Sequence, residues 1–414
     1  MAAANIPSIE AALKRFYIGK IVEEINQESL LLDNFEKETV VWSGSAAIVA
    51  LHTARNASVG AAFEGQTLPT PGQQGYEKII LESAYIYGQF AFTGPARAAA
   101  AKSAGAFANM MDLEMKPLTQ DIRHYSDICM FTGGPQIGFV WQKGNLSTFE
   151  CSARVNFPQS VTPVGSLVHF YRTDTYAECV GSPQTLNSLT STSLTLGGAI
   201  DTSGVPAGVV IAVLSDAAAL AAEPIGLAGN LSSPVWFGLQ RGLPNTATLS
   251  GNFQLANPTT NAYDDLTPNG LQNLASKIAF QSGSNPDSIW MSPLMISSYS
   301  SLLQGVSSGL TASAQRNDVK SGASKGDLGF TGYAWSGIPI FQAQDCPVGV
   351  IYMLARKHWK LAELDAGQFD ESTGSVLRAV PQVDSYTGMY RWYYQSYTDR
   401  PNASGVLAGV SIPV

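Results

Sequence analysis

Charge is scarce in this sequence. Of its 414 residues 14% are charged, where an average soluble domain carries about 25%. Its 24 basic residues are outnumbered by 32 acidic ones, for a net charge of −8, and no stretch is rich in Lys and Arg. A nucleic-acid reader needs a clustered basic footprint, so any contact with nucleic acid is expected to be local and non-specific. Long hydrophobic runs are missing too. The longest, AGVVIAVL (207–214), suits a buried strand and falls well short of the roughly 18 residues of a membrane-spanning helix. The opening MAAANIPSIE has neither the basic nor the apolar region of an export signal, so synthesis in the cytoplasm is expected.

Chemistry-bearing patterns are equally sparse. Cys129, Cys151, Cys179 and Cys346 form no CxxC pair, so zinc spacing is absent and reduced thiols are expected. No two of His52, His124, His169 and His358 lie at the i, i+4 spacing that places two ligands on one helix face. Neither a GxSxG elbow nor an HExxH motif occurs. Gly60 to Thr67 has the glycine spacing of a phosphate loop but lacks its lysine. Asp264-Asp265 and Asp365, Asp370 and Glu371 are acidic groups that a cation could use, and they read first as solvated turn residues. No catalytic, metal-binding or cofactor-binding residue is assigned, and the chain is not read as an enzyme. A surface short of charge is instead one that other subunits can cover.

What is present is an order of elements. Ile9, Leu13, Phe16, Tyr17, Ile21 and Ile25 recur at near-helical spacing within an arm over 1–37. The arm packs either on its own domain or on a neighbouring subunit. TVVWSGSAAIVALHTA (39–54) and KIILESAYIYGQFAFTG (78–94) read as strands of a long hairpin, with 55–77 as a loop long enough to be functional. Its core, EGQTLPTPGQQGYEK (64–78), is polar and rich in glycine and proline. Thr93 as N-cap and Pro95 in the first turn then start a helix reaching about Met130, with a kink expected at Pro117. Helix signals fade over 134–225, where short β-like runs predict a barrel or sandwich. From Thr267-Pro268, which caps a helix carrying Leu271, Leu274 and Ile278, the pattern is α/β. The tail holds Tyr390, Trp392, Tyr393, Tyr394 and Tyr397, read as core or protein interface.

This order resembles the major capsid proteins of tailed bacteriophages with the HK97-type fold. EGQTLPTPGQQGYEK resembles the tip of their E-loop. FTGPARAAAAKSAGAFANMMDLEM resembles the start of their spine helix, and GLQNLASKIAFQSGSNPDSIWMSP and GIPIFQAQDCPVGVIYML resemble parts of their A-domain. The likeness covers most of the chain and is weakest over 134–225. It implies an α+β, HK97-type capsid fold divided as follows: N-terminal arm 1–37, E-loop hairpin 38–93, spine helix and start of the P-domain 94–133, all-β insertion 134–225, P-domain connector 226–265, A-domain 266–380 and returning strands 381–414.

It further implies self-assembly into hexamers and pentamers of an icosahedral shell around packaged double-stranded DNA. A portal, and scaffolding or cement proteins, would be partners, in a virion built without a membrane. Assembly contacts are expected from Phe63, Glu64, Leu68, Pro69, Pro71, Gly72, Tyr76 and Lys78 in the E-loop, with Ile79 and Ile80 as flanking anchors, and from Leu13, Phe16, Tyr17 and Ile21 in the arm. An encapsulin-like shell and a β-rich adhesin are the other readings. The β-rich segment argues against the first and the long alanine-rich helix against the second. A hydrolase with dispersed site residues lacks any supporting motif.

Some members of that family crosslink a loop lysine to an asparagine on another subunit. Here no lysine lies between Gly65 and Glu77, the nearest being Lys78. Boiling assembled particles in SDS should therefore release single chains; a ladder of covalent multimers would contradict this.

Overall fold

The computed structural model describes residues 31–411 apart from internal stretches, of which 154–164, 202–209, 215–222, 257–263 and 307–332 are the longest. The arm residues Leu13, Phe16, Tyr17 and Ile21 lie outside the described residues. In chain order, β1 (Glu36–Glu38) is followed by β2 (Trp42–Ser43), β3 (Ala46–Ala54), β4 (Gly75–Glu82) and β5 (Ala84–Thr93), then by helices α1 (Gly94–Ala101) and α2 (Ala104–Thr132). Six strands come next: β6 (Gln136–Val140), β7 (Asn145–Ala153), β8 (Leu167–Arg172), β9 (Gln184–Leu189), β10 (Ser193–Asp201) and β11 (Val210–Leu214). After α3 (Leu227–Ser232) come β12 (Val235–Trp236), β13 (Leu239–Gln240), β14 (Asn252–Leu255), α4 (Pro268–Ser282), β15 (Ser288–Met291) and α5 (Pro293–Val306). The chain closes with β16 (Tyr333–Trp335), β17 (Ile338–Gln342), β18 (Val350–Leu354), β19 (Trp359–Phe369), β20 (Arg378–Ala379), β21 (Ser385–Thr398) and β22 (Gly405–Ala408).

The expected hairpin is corrected in its second half. β3 pairs with β4 in antiparallel register, Ile48 opposite Ile80 and His52 opposite Tyr76. At buried Ser83 the strand breaks, and β5 joins a different sheet by pairing with β21 from Ser385–Thr93 to Tyr394–Ala84. Periodicity reads straight through this break because both halves alternate. β19 and β20, which fall within the 266–380 span of the sequence reading, also flank β21 and belong to this five-stranded sheet. β1 completes it.

The second sheet has six strands in the order β14-β22-β18-β15-β17-β16. Its central strands are buried at every position, as sheets covered on both faces are. α4 and α5 cover one face through Leu271, Leu274, Ile278, Met295 and Tyr299. The other face, with Trp290, Tyr352 and Val406, meets Met130 and Phe131 of α2 and Trp359 and Tyr394 of the first sheet. α4 begins and ends as its sequence dictates. The Thr267 hydroxyl accepts from Gly270 N–H at 3.1 Å, Pro268 occupies the first turn, and Gly283 takes a left-handed φ of 67°, the conformation glycine adopts at least cost. At the start of the long helix Thr93 likewise accepts from Ala96 N–H at 3.4 Å. α2 continues through Pro117.

Strands β6 to β11 close a six-stranded barrel, filled by Val168, Phe170, Leu186, Leu194, Leu196 and Ile200. The chain enters and leaves it at one place. Gly226 N–H donates to Gly133 O at 3.2 Å, and a Cβ on Gly226 would strike the carbonyls at the end of α2. Two glycines are needed there because two backbones pass without room for side chains.

α2 also anchors the first described residues. Leu32 N–H donates to Asp127 Oδ1 at 3.0 Å, in the buried interior. Burial, with Asp345 and Asp33 nearby, outweighs the amide donors and pushes the Asp127 carboxyl up to about 7. A folded-state value above the unfolded one means stability present in acid and lost as pH rises from about 4 through about 7. Asp127→Asn keeps the acceptor and removes the titration. Chemical denaturation of the subunit should show the wild-type loss, on the order of a few kcal/mol, flattened in the variant.

Candidate assembly surfaces

The hairpin has one buried and one open face, set by alternation along its strands. Ala47, Leu51, Ile79 and Leu81 pack on Trp236, Phe237, Leu249, Ala362 and Tyr397, while Ile80 N–H donates to Phe237 O at 3.1 Å. Asn230 and Arg241 stiffen this base. The Asn230 side chain accepts from Trp236 Nε1 at 3.0 Å, and buried Arg241 lies over the Trp236 ring at 4.7 Å. Ile79 is therefore corrected from a neighbour-facing anchor to a residue of its own core, with no exposed surface. The open face carries Ile48, Ile80 and Tyr76, with Tyr76 5.2 Å from the His52 ring.

The loop beyond is closed at its neck. Asn56 N–H donates to Gln74 Oε1 at 3.1 Å, Asn56 Nδ2 to Gly72 O at 3.0 Å, and His52 meets the same Gln74 oxygen at 2.8 Å. Past the neck the internal hydrogen bonds among the described residues thin to a turn from Gln66 N–H to Phe63 O and an Asn56–Ser58 contact. Phe63, Glu64, Leu68, Pro71 and Gly72 are exposed and Pro69 is half-buried. Phe63 is 82% exposed, Leu68 79% and Val59 88%. Large apolar side chains at such exposure, concentrated on one projecting element, mark an interaction surface. Lys78 points outward with them, Pro95 is exposed in the first turn of α1, and Pro117 is half-buried within α2. The sequence reading brings the tip residues together and misses Val41, exposed just ahead of β2, and Ile48, whose exposure follows from strand parity.

A second uncovered surface escapes the sequence reading. On the five-stranded sheet Ile86, Phe90, Trp392 and Tyr394 are buried, and α2 approaches so closely that a Cβ on Gly88 would strike Ile122. The opposite parity leaves Tyr85 and Tyr87 40% and 51% exposed. Both meet Tyr393 edge-on, at 5.1 and 5.7 Å. Strict alternation in AYIYGQFAF held the signal. Partial burial, then the contact with Tyr87, pushes the Tyr393 hydroxyl up to about 12.

Asp370, read from sequence as a solvated turn residue, is buried and ion-paired with Arg378, and Asp365 pairs with Arg391 at 3.0 Å. His169 and Ser182 both contact Glu178, at 2.6 and 2.9 Å, a fork on one carboxylate and not a relay toward a nucleophile. Among the described residues no three His, Cys, Asp or Glu side chains converge to hold a metal, and no helix is long and apolar enough to cross a membrane.

Parity makes the two neighbouring isoleucines a direct test of the hairpin. Ile79→Ala should cost the isolated subunit about 2–4 kcal/mol in urea denaturation. Ile80→Ala, 39% exposed, should cost well under half of that; equal losses would contradict the assigned faces.

No protein-family model matches the sequence, and no curated protein does. Solved structures do. The capsid protein of cyanophage A-1(L) aligns over 94% of this chain and 95% of its own, with a TM-score of 0.54 and 11% identity. The capsid protein of the empty GTA particle aligns over 99% of this chain and all of its own, with a TM-score of 0.50 and 8% identity; that of the native particle gives 0.50 and 9%. Identity this low with coverage this full speaks for a shared fold: the chain is a mixed α+β protein with the fold of these capsid subunits.

Proposed function

We propose that this chain is the major capsid protein of a tailed bacteriophage, assembling into hexamers and pentamers of an icosahedral shell around packaged double-stranded DNA. One observation carries the reading: a firmly based hairpin whose outer half exposes Val59, Phe63, Leu68 and Tyr76, on a chain that folds like capsid subunits. Exposed apolar surface on a projecting element is stabilised when a neighbour covers it, and a shell sums many such modest contacts. Glycines and prolines beyond the neck let the tip adapt to the different positions of a shell.

In this reading residues 38–82 serve as the E-loop and α1–α2 as the spine helix. The five-stranded sheet is the core of the P-domain and the six-stranded sheet that of the A-domain. The barrel is an insertion, a role supported by its entry and exit at adjoining Gly133 and Gly226, since closely spaced ends let a domain be inserted without disturbing its host. Of the arm over 1–37, the part before Leu31 reaches a neighbouring subunit, since Leu32 and β1 pack on their own chain. The protein acts by binding geometry and not turnover. It is made in the host cytoplasm and resides in the virion, with a portal and scaffolding or cement proteins as partners and non-specific contact with DNA inside.

Electron microscopy of the full chain, expressed alone and with the scaffolding protein of its own phage, tests this. Closed shells, or rings of five and six subunits, are expected. Monomers that persist in both preparations would overturn it.

A further inference from the structure

We propose that Asp127 is a proton-operated latch on the root of the N-terminal arm: neutral, it holds Leu31 and Leu32 against the core, and charged, it weakens that hold. The inference does not rest on the shell reading. It concerns when the chain before Leu31 is free to leave its own subunit.

The latch is a cluster of buried groups at one point of the fold. Asp127, near the end of α2, is 2% exposed. The backbone N–H groups of Leu31 and Leu32 both donate to its carboxyl, Leu32 at 3.0 Å. The turn between β17 and β18 brings up a second carboxyl, Asp345, and the root itself brings a third, Asp33. His124, one turn earlier on α2, faces Asp345, with Nδ1 3.4 Å from Oδ2. Arg356, which donates to Asn34 Oδ1 at 2.9 Å, is paired with Asp287 at 3.2 Å. Burial pushes up the Cys346 thiol beside Asp345 and the Tyr394 hydroxyl beside Asp127, so both stay neutral. A charge on Asp127 is therefore opposed by burial and by two carboxyls, which together outweigh the amides and place its value at about 7.

The position of the next contacts makes this a latch and not a general stabiliser. From Asn34 onward the chain is held without Asp127. Arg356 bonds Asn34, Phe35 stacks on Trp359 at 5.5 Å, β1 pairs with β19, and Lys37 pairs with Glu363 at 3.0 Å. An ionised Asp127 thus reaches water by releasing Leu31 and Leu32 alone, a local opening that leaves both sheets paired. The same release carries Asp33 away. Once hydrated, the carboxyl returns to an ordinary value of about 4. The closed form binds the proton more tightly than the open one. Closure is accordingly firmest below about pH 4, weakens about tenfold per pH unit up to about pH 7, and is constant above that.

The test is hydrogen–deuterium exchange of the full chain from about pH 5 to about pH 8, held in one assembly state and corrected for the intrinsic rate. Protection over residues 31–34 should fall about tenfold per pH unit up to about pH 7 and then level off, while β18 and β22 do not follow. Asp127→Asn keeps an acceptor and cannot ionise, so its protection should be the same at every pH. Asp345→Asn removes an opposing carboxyl and should move the fall to lower pH. Wild-type protection over 31–34 that is unchanged across the range, or that falls in step with β18 and β22, would overturn the latch. So would an Asp127→Asn profile that falls as the wild type does. The wild-type profile decides by itself if either variant fails to fold.

Discussion

The subunit depends on a buried junction around Gln395. Its side-chain amide donates to Glu82 O at 2.9 Å and its oxygen accepts from Ile225 N–H at 2.8 Å and Ser396 N–H at 3.1 Å. One side chain thus ties the end of the hairpin, the segment leading into α3 and the longest strand of the five-stranded sheet. Asn230 repeats the pattern one layer away, donating to Ile225 O, Gly226 O and Ser396 O. A buried amide with its bonds made fixes position more sharply than apolar packing, because leaving any partner unpaired costs on the order of 1–3 kcal/mol. The hairpin base and the barrel stem are therefore aimed from one rigid point.

From that point the division of labour is physical. The core between the sheets is dense in aromatic side chains, with Trp290 stacked on Phe341 at 4.7 Å and Trp392 meeting Tyr394 at 4.5 Å. These rings bury large areas and resist shear. The hairpin beyond its neck has few internal bonds and much exposed apolar surface. Stiffness at the root and adaptability at the tip suit a part that must reach one surface from several directions. The ion pairs serve the same end: Arg391, Asp365, Asp370 and Arg378 neutralise one another within the sheet, so its open face carries little net charge.

Much of this is legible from residue order. The capped helix from Thr267 with Leu271, Leu274 and Ile278 inward, the helix start at Thr93 and the polar loop from Glu64 follow from local rules, although the loop ends at Gln74, where β4 takes over, and local rules are what sequence carries. The resemblance of successive segments to capsid proteins also leads to the right fold, although no single segment is specific. The errors have one origin. A local reading makes Ile79 a neighbour-facing anchor, joins strands β4 and β5 into one, and places Asp370 at a turn in water. Each mistake concerns what lies across from a residue, and pairing partners hundreds of positions away cannot be read from neighbours in the chain.

Sequence by itself determined the elements, their capping, the scarcity of charge and the polar, proline-rich character of the tip, because propensity, periodicity and composition act over a few residues. Tertiary structure alone decided that Ser83 divides two sheets, that Gly133 and Gly226 bring the barrel in and out at one point, and that Tyr85, Tyr87 and Tyr393 share an open face. Those outcomes depend on which strand lies beside which, and that is settled by long-range pairing of β21 with β5 and β19 as the core closes around α2.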